Sequence, residues 1–286
     1  MLCDHTMTAF KYTAFFLQAV PNSEHAARLT IDNPPINLIN HTLLTELHDY
    51  LTSLETSPAT APKVIVVSSA DTALWCSHLD LRIISAQHPL PSEDGVPGHL
   101  LHLLGGILML FQTLPIVFIA EVNGLAVGGG NEFAVNMDMR FAGPNARFGA
   151  PEVAGGVVHG GAVQQLTKLV GAGRAMEMML SARAVTAQEA ERIGLVNKAL
   201  DDETRLREYV DALAARIASF PRGGIGATKR GVVECLEGKG SMQQDLQRLD
   251  QLAHTGEAQE KIDALIRSGG HQTRTEFELS LPDSIS

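Results

Sequence analysis

Apolar and polar positions in the first two thirds of the chain alternate between strand-like and helix-like patterns. In Ala27–Asp32 every second side chain is apolar, which is typical of a half-buried strand. In His41–Glu55 the leucines fall on one helical face, which predicts an amphipathic helix. Lys63–Ser68 and Ile116–Val122 contain short apolar runs, as in strands that are covered on both faces. Strands separated by helices predict an α/β fold.

The rest of the chain predicts mainly helices. Gln87–Gly98 is rich in Pro, Ser and Gly and predicts a loop, and an apolar helix is expected from there to about Thr113. Later in the chain, helices are expected over three further segments, Gly171–Leu180, Asp202–Ser219 and Ser241–Arg267. We therefore expect an α/β core over residues 10–200 and a helical C-terminal region over residues 201–286.

Glycine is concentrated in one part of the chain. Of the 26 glycines, 12 lie within residues 124–173, where average usage would place about 3 or 4. The first of them follow Ile116–Val122 in the order Asn-Gly-Leu-Ala-Val-Gly-Gly-Gly-Asn-Glu. A buried strand therefore leads into a glycine turn that opens a helix.

Three common motifs do not account for this turn. Gly124 and Gly129 have the spacing of a Walker A motif, but no lysine follows them. A dinucleotide-binding fingerprint requires a small residue where the bulky Phe133 stands, and the Gly-x-Ser-x-Gly of serine hydrolases occurs nowhere. What remains is a turn whose backbone N–H groups point outward at a helix start. Such a turn stabilises negative charge that develops on an enolate or another oxyanion.

Two carboxylates stand close to the glycine turn in the sequence. Glu132 follows the three consecutive glycines by two positions, and Glu152 ends the segment Phe-Gly-Ala-Pro-Glu. Two neighbouring carboxylates can act as general acid and general base. A glutamate in the first turn of a helix also complements the helix dipole, so Glu132 alone is compatible with a structural role.

The charge balance and the cysteines exclude other classes of protein. Lys+Arg 22 against Asp+Glu 32 gives a formal net charge of −10, which argues against a general binder of nucleic acid or of anionic membranes. The three cysteines form no Cys-x-x-Cys pair, so neither a disulfide framework nor a zinc ribbon is expected. We recognise no signal peptide, no membrane span and no peroxisomal C-terminal tripeptide, and therefore expect a cytoplasmic protein.

Three segments together resemble the crotonase superfamily, the enoyl-CoA hydratases and isomerases. They are KVIVVSSADTALWCSHLDLR (63–82), NGLAVGGGNEFAVNMDMRFAGPNARFGAPEVAGGVVHGGAVQQL (123–166) and VGAGRAMEMMLSARAVTAQEAERIGLVNKAL (170–200). The resemblance extends over about residues 25–280. It implies an α/β fold, a crotonase-like spiral of ββα turns. It also implies a helical C-terminal region that forms trimers and completes the active site.

The resemblance also implies roles for individual residues. Family members bind acyl-CoA thioesters and hold the thioester oxygen between two backbone N–H groups, which match Leu79 and Gly129 here. Glu132 and Glu152 match the two glutamates of the hydratases: one deprotonates the water that adds at the β-carbon, and the other delivers a proton to the α-carbon. Isomerases commonly keep only the second. Further positions expected at the substrate site are Ser77, His78, Asp80, Arg82, Gly128 and His159.

Among these positions, Arg82 matches a basic residue that often contacts the CoA phosphates, whereas Asp80 is expected to shape the loop. Two histidines depart from the family pattern. His78 stands where glycine is usual, so its side chain could narrow the CoA channel or turn the Leu79 N–H away. His159 stands where proline is usual. They are either bystanders or adapt the pocket to another substrate, since some superfamily members cleave C–C bonds with histidine and acidic residues.

The resemblance implies a lyase that hydrates a 2-enoyl-CoA, as in fatty acid metabolism. A Δ3,Δ2-enoyl-CoA isomerase, a C–C bond hydrolase or decarboxylase, and a non-catalytic binding protein of the same fold are the alternatives. Coenzyme A would enter as part of the substrate, and no other cofactor and no metal is required. The expected assembly is a homotrimer or a dimer of trimers, without nucleic acid or membrane partners. An acidic protein then needs a local basic patch for CoA, with Arg82 as its first candidate.

Overall fold

The structure, a computed structural model, describes residues 12–91 and 97–267. The strands and helices of these residues are, in chain order, β1 (Phe15–Ala19), β2 (Ala26–Ile31), α1 (His41–Thr56), β3 (Val64–Ser69), β4 (Leu74–Cys76), α2 (Pro97–Thr113), β5 (Val117–Val122), β6 (Leu125–Val127), α3 (Gly129–Asn136), β7 (Met139–Ala142), β8 (Arg147–Gly149), α4 (Val163–Val170), α5 (Ala172–Ser181), β9 (Val185–Thr186), α6 (Ala187–Ile193), β10 (Lys198–Ala199), α7 (Glu203–Ala218), α8 (Arg222–Leu236), α9 (Met242–Ala253) and α10 (Gly256–Arg267). Part of the predicted loop over 87–98 and the end of the predicted C-terminal region lie outside the described residues.

The strands form two sheets that are connected as a spiral. The larger has the order β1-β2-β3-β5-β7-β10 and the smaller the order β4-β6-β8-β9. Each of the pairs β3–β4, β5–β6 and β7–β8 puts its first strand in the larger sheet and its second in the smaller, and a helix follows. Because β3, β5 and β7 pair in parallel, each such unit is one turn of the spiral. The predicted α/β fold with ββα turns is confirmed.

Both faces of the larger sheet are covered, as the apolar strand patterns predict. In β3, Ile65 and Val67 contribute to a core that includes the leucine face of α1, whereas Val64 and Val66 face a second core. Helix α7 closes the second core with its buried face, formed by Leu206, Val210, Ala214 and Ala218. Helix α7 is thus packed as tightly as the α/β elements before it, and the loss of burial begins only after it.

The three helices after α7 bury almost nothing in this chain. In α8 only Lys229 is buried, and α9 and α10 bury no side chain. The prediction of one helix over Ser241–Arg267 is wrong, because α9 and α10 are separate helices. The hydroxyl of Thr255 accepts a hydrogen bond from the Ala258 N–H at 3.3 Å and so caps a new helix start. Strand β1 and helix α8 were not predicted from the sequence.

Among the described helices, none combines the length and the apolar character that crossing a membrane requires.

Candidate active site

The glycine turn brings the start of α3 into direct contact with the end of β4. The Gly130 N–H donates to the Ser77 carbonyl at 2.9 Å, and a Cβ built on Gly130 would lie 2.0 Å from the Cys76 carbonyl oxygen. No side chain fits there. Gly128, which precedes the helix, has φ +57°, in the region that favours glycine. Ser77 therefore contributes to the site through its backbone, and the consecutive glycines permit the close approach of the two segments.

The Leu79 amide lies next to Gly129 in the glycine turn. Residues 78–80 pair with Ile39 as a short parallel bridge, in which Ile39 N donates to the His78 carbonyl and Asp80 N to the Ile39 carbonyl. Because this pairing uses the His78 carbonyl and the Asp80 N–H, the Leu79 N–H points away from Ile39. A Cβ on Gly129 would lie 3.3 Å from the Leu79 nitrogen, so the absence of a side chain keeps that space open. Neither amide donates to a described residue.

Asp80 and Arg82 hold the loop that follows Leu79. The Asp80 carboxylate accepts from the Arg82 N–H at 3.0 Å and caps a 3-10 turn over Leu81–Ile83. The Arg82 guanidinium lies 2.6 Å from the same carboxylate, and its hydrogen bonds lower the pKa of Asp80. Asp80 shapes the loop, as expected. The Arg82 side chain is 52% exposed, so its outer part remains accessible although its charge is partly compensated.

The His78 ring is turned toward the backbone of its neighbour. Its Nδ1 lies 2.8 Å from the Leu79 carbonyl oxygen, which can only accept, so Nδ1 carries the proton of this hydrogen bond. The bond engages the carbonyl of Leu79 and leaves the Leu79 N–H unengaged. The Cβ of His78 lies 3.1 Å from the position that a Cβ on Gly128 would take, so this side chain borders the glycine turn.

His159 lies between the two predicted catalytic glutamates. Its Nδ1 is 2.9 Å from Glu152 Oε2 and 3.5 Å from Glu132 Oε1. The shorter contact has the distance of an ion pair. It does not have the angle of a hydrogen bond, so His159 Nδ1 and Glu152 Oε2 are both without a hydrogen-bond partner. The side chains of His159 and Glu132 are 1% and 7% exposed. Residues far apart in the sequence thus form one buried cluster.

Glu132 is anchored through one carboxylate oxygen. Its Oε1 accepts from the Gly161 N–H at 2.8 Å, and a side chain on Gly161 would come within 2.9 Å of Oε2. Burial raises the pKa of Glu132; the charge on His159 and the Gly161 hydrogen bond oppose this rise, and the charge on Glu152 adds to it. A buried carboxylate with a raised pKa is a stronger base than an exposed one.

Each glutamate turns one carboxylate oxygen toward His159 and leaves the other without a hydrogen bond from the described residues. A Cβ on Gly128 would lie 3.0 Å from Glu152 Oε1, so this oxygen faces the glycine turn while Oε2 faces His159. Glu132 Oε2 and Glu152 Oε1 accept no hydrogen bond from the described residues. One oxygen of each carboxylate therefore remains for acid–base chemistry, and that of Glu152 faces the glycine turn.

The same three side chains offer a donor set for a cation. One oxygen each of Glu132 and Glu152 and one ring nitrogen of His159 lie within 4.8 Å of one another. Carboxylate and imidazole ligands suit several divalent ions. The sequence-based expectation that no metal is required stays a prediction.

Asn131 and Gly161 complete the cluster and were not predicted. Asn131 Nδ2 lies 3.1 Å from His159 Nε2, the ring nitrogen that points away from the glutamates. The sequence offers a weak signal for Asn131, since it immediately precedes Glu132 in the glycine turn. Gly161 carries no such signal, because its contact with Glu132 exists only in three dimensions.

A cavity of about 720 Å³ lies elsewhere, between α8–α10 and the core. Its wall is mainly apolar and includes Val135, Leu169, Val233 and Leu252. None of the site residues predicted from the sequence lines it. The chemistry-bearing cluster and the large cavity are therefore separate features.

The chain is similar to known proteins over most of its length. Residues 22–267 match the family model described as Enoyl-CoA hydratase/isomerase. A crotonyl-CoA hydratase from Syntrophomonas wolfei is 32% identical over 228 residues, which cover 79% of this chain and 82% of that protein.

Two solved structures extend the comparison. Pseudomonas aeruginosa DspI superposes with a TM-score of 0.81 at 25% identity, over 94% of this chain and 100% of that chain. A monofunctional enoyl-CoA isomerase from Mycobacterium smegmatis superposes with a TM-score of 0.65 at 28% identity, over 82% of this chain and 98% of that chain.

Proposed function

Because the chain belongs to the enoyl-CoA hydratase/isomerase family of enzymes, we propose that it adds water across the double bond of a 2-enoyl-CoA thioester. Membership confirms the resemblance to the crotonase superfamily, and the non-catalytic alternative is not retained. The observation that carries the proposal is the pair of unengaged amides, those of Leu79 and Gly129, at the glycine turn that Glu152 Oε1 faces.

The two amides are the oxyanion hole of the proposed reaction. The thioester oxygen accepts from the Leu79 and Gly129 N–H groups and carries the enolate charge when the double bond is attacked. Donors that are fixed before the reaction need no reorganisation, and losing one typically costs about 10²–10³-fold in rate. The glycine at 129 lets the thioester approach both amides.

The two glutamates divide the proton transfers. Glu132 takes a proton from the water that adds at the β-carbon, a role that its raised pKa suits. Glu152 delivers a proton to the α-carbon, since its Oε1 faces the glycine turn where the enolate is held. General acid–base catalysis of this kind contributes roughly 10²–10⁴-fold.

The CoA part of the substrate and the assembly complete the proposal. The exposed part of Arg82 is the first contact for the CoA phosphates, held in place by Asp80. The helices α8–α10 bury little against their own core, and we expect them to join copies of the chain into a homotrimer or a dimer of trimers.

A Δ3,Δ2-enoyl-CoA isomerase is the second candidate. The observation that favours it is the anchoring of Glu132, which uses one of its oxygens to hold the Gly161 N–H. If Glu132 serves only this structural role, Glu152 remains as the single base that moves an α proton to the γ-carbon.

The experiment supplies purified protein with crotonyl-CoA, longer 2-enoyl-CoAs and a 3-enoyl-CoA. Loss of the conjugated thioester absorbance reports hydration, and its appearance from the 3-enoyl-CoA reports isomerisation. We expect hydration that falls by about 10²-fold or more in both Glu132→Gln and Glu152→Gln. The control is Glu191→Gln, an exposed glutamate on α6, which should keep the wild-type rate.

The outcomes separate the two candidates. Isomerisation that survives Glu132→Gln, without hydration, would assign the isomerase. No turnover with any chain length, or full hydration in Glu152→Gln, would contradict the proposed function.

A further inference from the structure

Hydration leaves the two glutamates in the wrong protonation states for the next turnover. If Glu132 takes a proton from water and Glu152 gives one to the α-carbon, the first ends as the acid and the second as the carboxylate. One proton must move from Glu132 to Glu152 before another substrate can react. Glu132 and His159 are buried and Glu152 is half-buried, so the proton returns either through side chains inside the protein or through bulk water that enters the site.

His159 Nδ1 is placed between the two atoms that must exchange this proton. It lies 3.5 Å from Glu132 Oε1 and 2.9 Å from Glu152 Oε2, and the ring is 1% exposed. Among the described titratable groups, these two carboxylates are the ones that contact the ring, Glu132 from α3 and Glu152 from the 3-10 turn over 152–155. Resting on the proposed function, we propose that His159 is a positioning residue that returns the proton from Glu132 to Glu152.

Asn131 supports the other side of the ring. Its Nδ2 is 3.1 Å from His159 Nε2, while its Oδ1 is buried without a hydrogen-bond donor. Heavy-atom positions do not distinguish the amide oxygen from the amide nitrogen. When the Asn131 amide is turned by 180°, Oδ1 faces His159 Nε2 and accepts a hydrogen bond from the proton on Nε2. Oδ1 then has the donor that it lacks. Nε2 then keeps its proton, and Nδ1 is free to take up and release another.

The proton balance closes on these atoms. A half-turn of the protonated Glu132 carboxyl presents its O–H to His159, and the O–H bond breaks as the lone pair of His159 Nδ1 binds the proton, which makes an imidazolium and a carboxylate. The Nδ1–H bond then breaks as Glu152 Oε2 binds the proton, and the ring returns to its neutral form. A half-turn of the Glu152 carboxyl brings this proton to the side of the glycine turn, where the next α-carbon receives it. No electron is gained or lost and no co-reactant is needed.

The test compares two reactions of the same enzyme in His159→Gln. Hydration of crotonyl-CoA requires the proton return, whereas exchange of the α-protons of butyryl-CoA in D₂O uses Glu152 alone. Glutamine can still donate a hydrogen bond to the carboxylates, but it cannot carry the proton. We expect the ratio of hydration to exchange to fall by about 10²-fold, the lower end of what acid–base groups contribute, through kcat rather than KM.

A matched histidine provides the control. His25→Gln makes the same change at an exposed histidine in the turn before β2, outside the candidate site, and should leave the ratio at its wild-type value. Asn131→Leu is the second variant, since it retains His159 and both glutamates but removes the support of Nε2. It should lower the ratio by about 10-fold, and it keeps the test open if His159→Gln does not fold.

The outcomes are distinguishable from failure of the proposed function. Wild-type protein that exchanges α-protons but hydrates nothing would overturn hydration itself and, with it, the need for a proton return. Hydration with an unchanged ratio in His159→Gln and Asn131→Leu would overturn only the role of His159. Stoichiometric metal in the purified protein that is lost in His159→Gln would assign the cluster to a cation and would also overturn it.

Discussion

The α/β core and the three helices after α7 bury their apolar side chains to very different degrees. In α1 the leucines Leu43, Leu44, Leu47 and Leu51 are at most 3% exposed, whereas Leu246 and Leu249 of α9 are 57% and 63% exposed. Both regions use amphipathic helices, so the difference is not in the pattern of the sequence. The core closes on itself and carries the candidate site, whereas the last helices present an apolar face that needs another surface.

This contrast separates stability from assembly. The buried face of α1 contributes to folding of a single chain, because it is removed from water within that chain. The exposed face of α9 can contribute only when it is covered. Lys229, the one buried side chain of α8, and Arg222 at the start of that helix are polar links between the two regions.

The largest expected effect is therefore at Lys229. Its ammonium donates to the Phe111 and Ile116 carbonyls at 2.6 and 2.7 Å and lies 2.9 Å from Asp138 Oδ2. Lys229→Met removes the ammonium partner of the half-buried Asp138 carboxylate, which keeps only its bond from the Phe118 N–H, and leaves two carbonyls without their donor. We expect a loss of about 3–5 kcal/mol in the free energy of unfolding. Chemical denaturation measures the loss. Asp138→Asn combined with Lys229→Met should recover part of it, and a loss below about 1 kcal/mol in the single variant would contradict the link.

A pair of leucines compares the two regions directly. Leu43→Ala removes a fully buried side chain and should cost about 2–5 kcal/mol at any protein concentration. Leu249→Ala should cost less than about 0.5 kcal/mol in dilute protein, where single chains prevail. At higher concentration its cost should rise as copies associate, which sedimentation and denaturation together would detect. Equal losses in the free energy of unfolding at both positions, independent of protein concentration, would contradict the difference between the two regions.

A pair of glycine substitutions, one in the core and one in α8, extends the comparison of the two regions. A Cβ on Gly130 would meet the Cys76 carbonyl oxygen, so Gly130→Ala should destabilise the core by about 1–3 kcal/mol and displace the amides of the site. A Cβ on Gly224 in α8 meets nothing within 4 Å, so Gly224→Ala should stabilise by about 0.5–1 kcal/mol. The melting temperatures of the two variants measure these changes. A stable, active Gly130→Ala enzyme would contradict the close approach of Gly130 to the Cys76 carbonyl.

The smallest effect concerns the pH dependence of stability. Burial raises the pKa of Glu132 above its value in the unfolded chain, so the folded state binds this proton more tightly. The resulting stabilisation is complete below the unfolded pKa and is lost as the pH rises through the folded pKa. Glu132→Gln should therefore unfold at higher denaturant than wild type at neutral pH, and the difference should shrink below about pH 4. Glu260→Gln, an exposed change in α10, should differ from wild type by less than about 0.5 kcal/mol.

The periodic elements of the core could be predicted from the sequence, but α8 could not. The leucine face of α1 and the apolar strands β3 and β5 repeat a period that burial enforces. The segment Arg222–Leu236 contains four glycines, which favour other conformations over a helix. It is a helix here because Lys229 anchors it to the core, a contact that local pattern does not reveal.

The candidate site was predictable in part for a similar reason. The glycine turn, Glu132 and Glu152 are close in sequence and carry the resemblance to the family. The placement of His159 between the glutamates depends on how the 3-10 turn over 152–155 returns the chain to α3. The same holds for Gly161, which contacts a carboxylate from a position 29 residues later.

The central claim is that Glu132 and Glu152 act as one unit on an enoyl-CoA thioester. The most direct test measures kcat/KM for hydration of crotonyl-CoA in wild type, Glu132→Gln, Glu152→Gln and the double variant. Each single change should lower it by roughly 10²–10⁴-fold, and the double variant should be little slower than the slower single one, because groups that act together are not additive. Wild-type hydration in either single variant would contradict the claim.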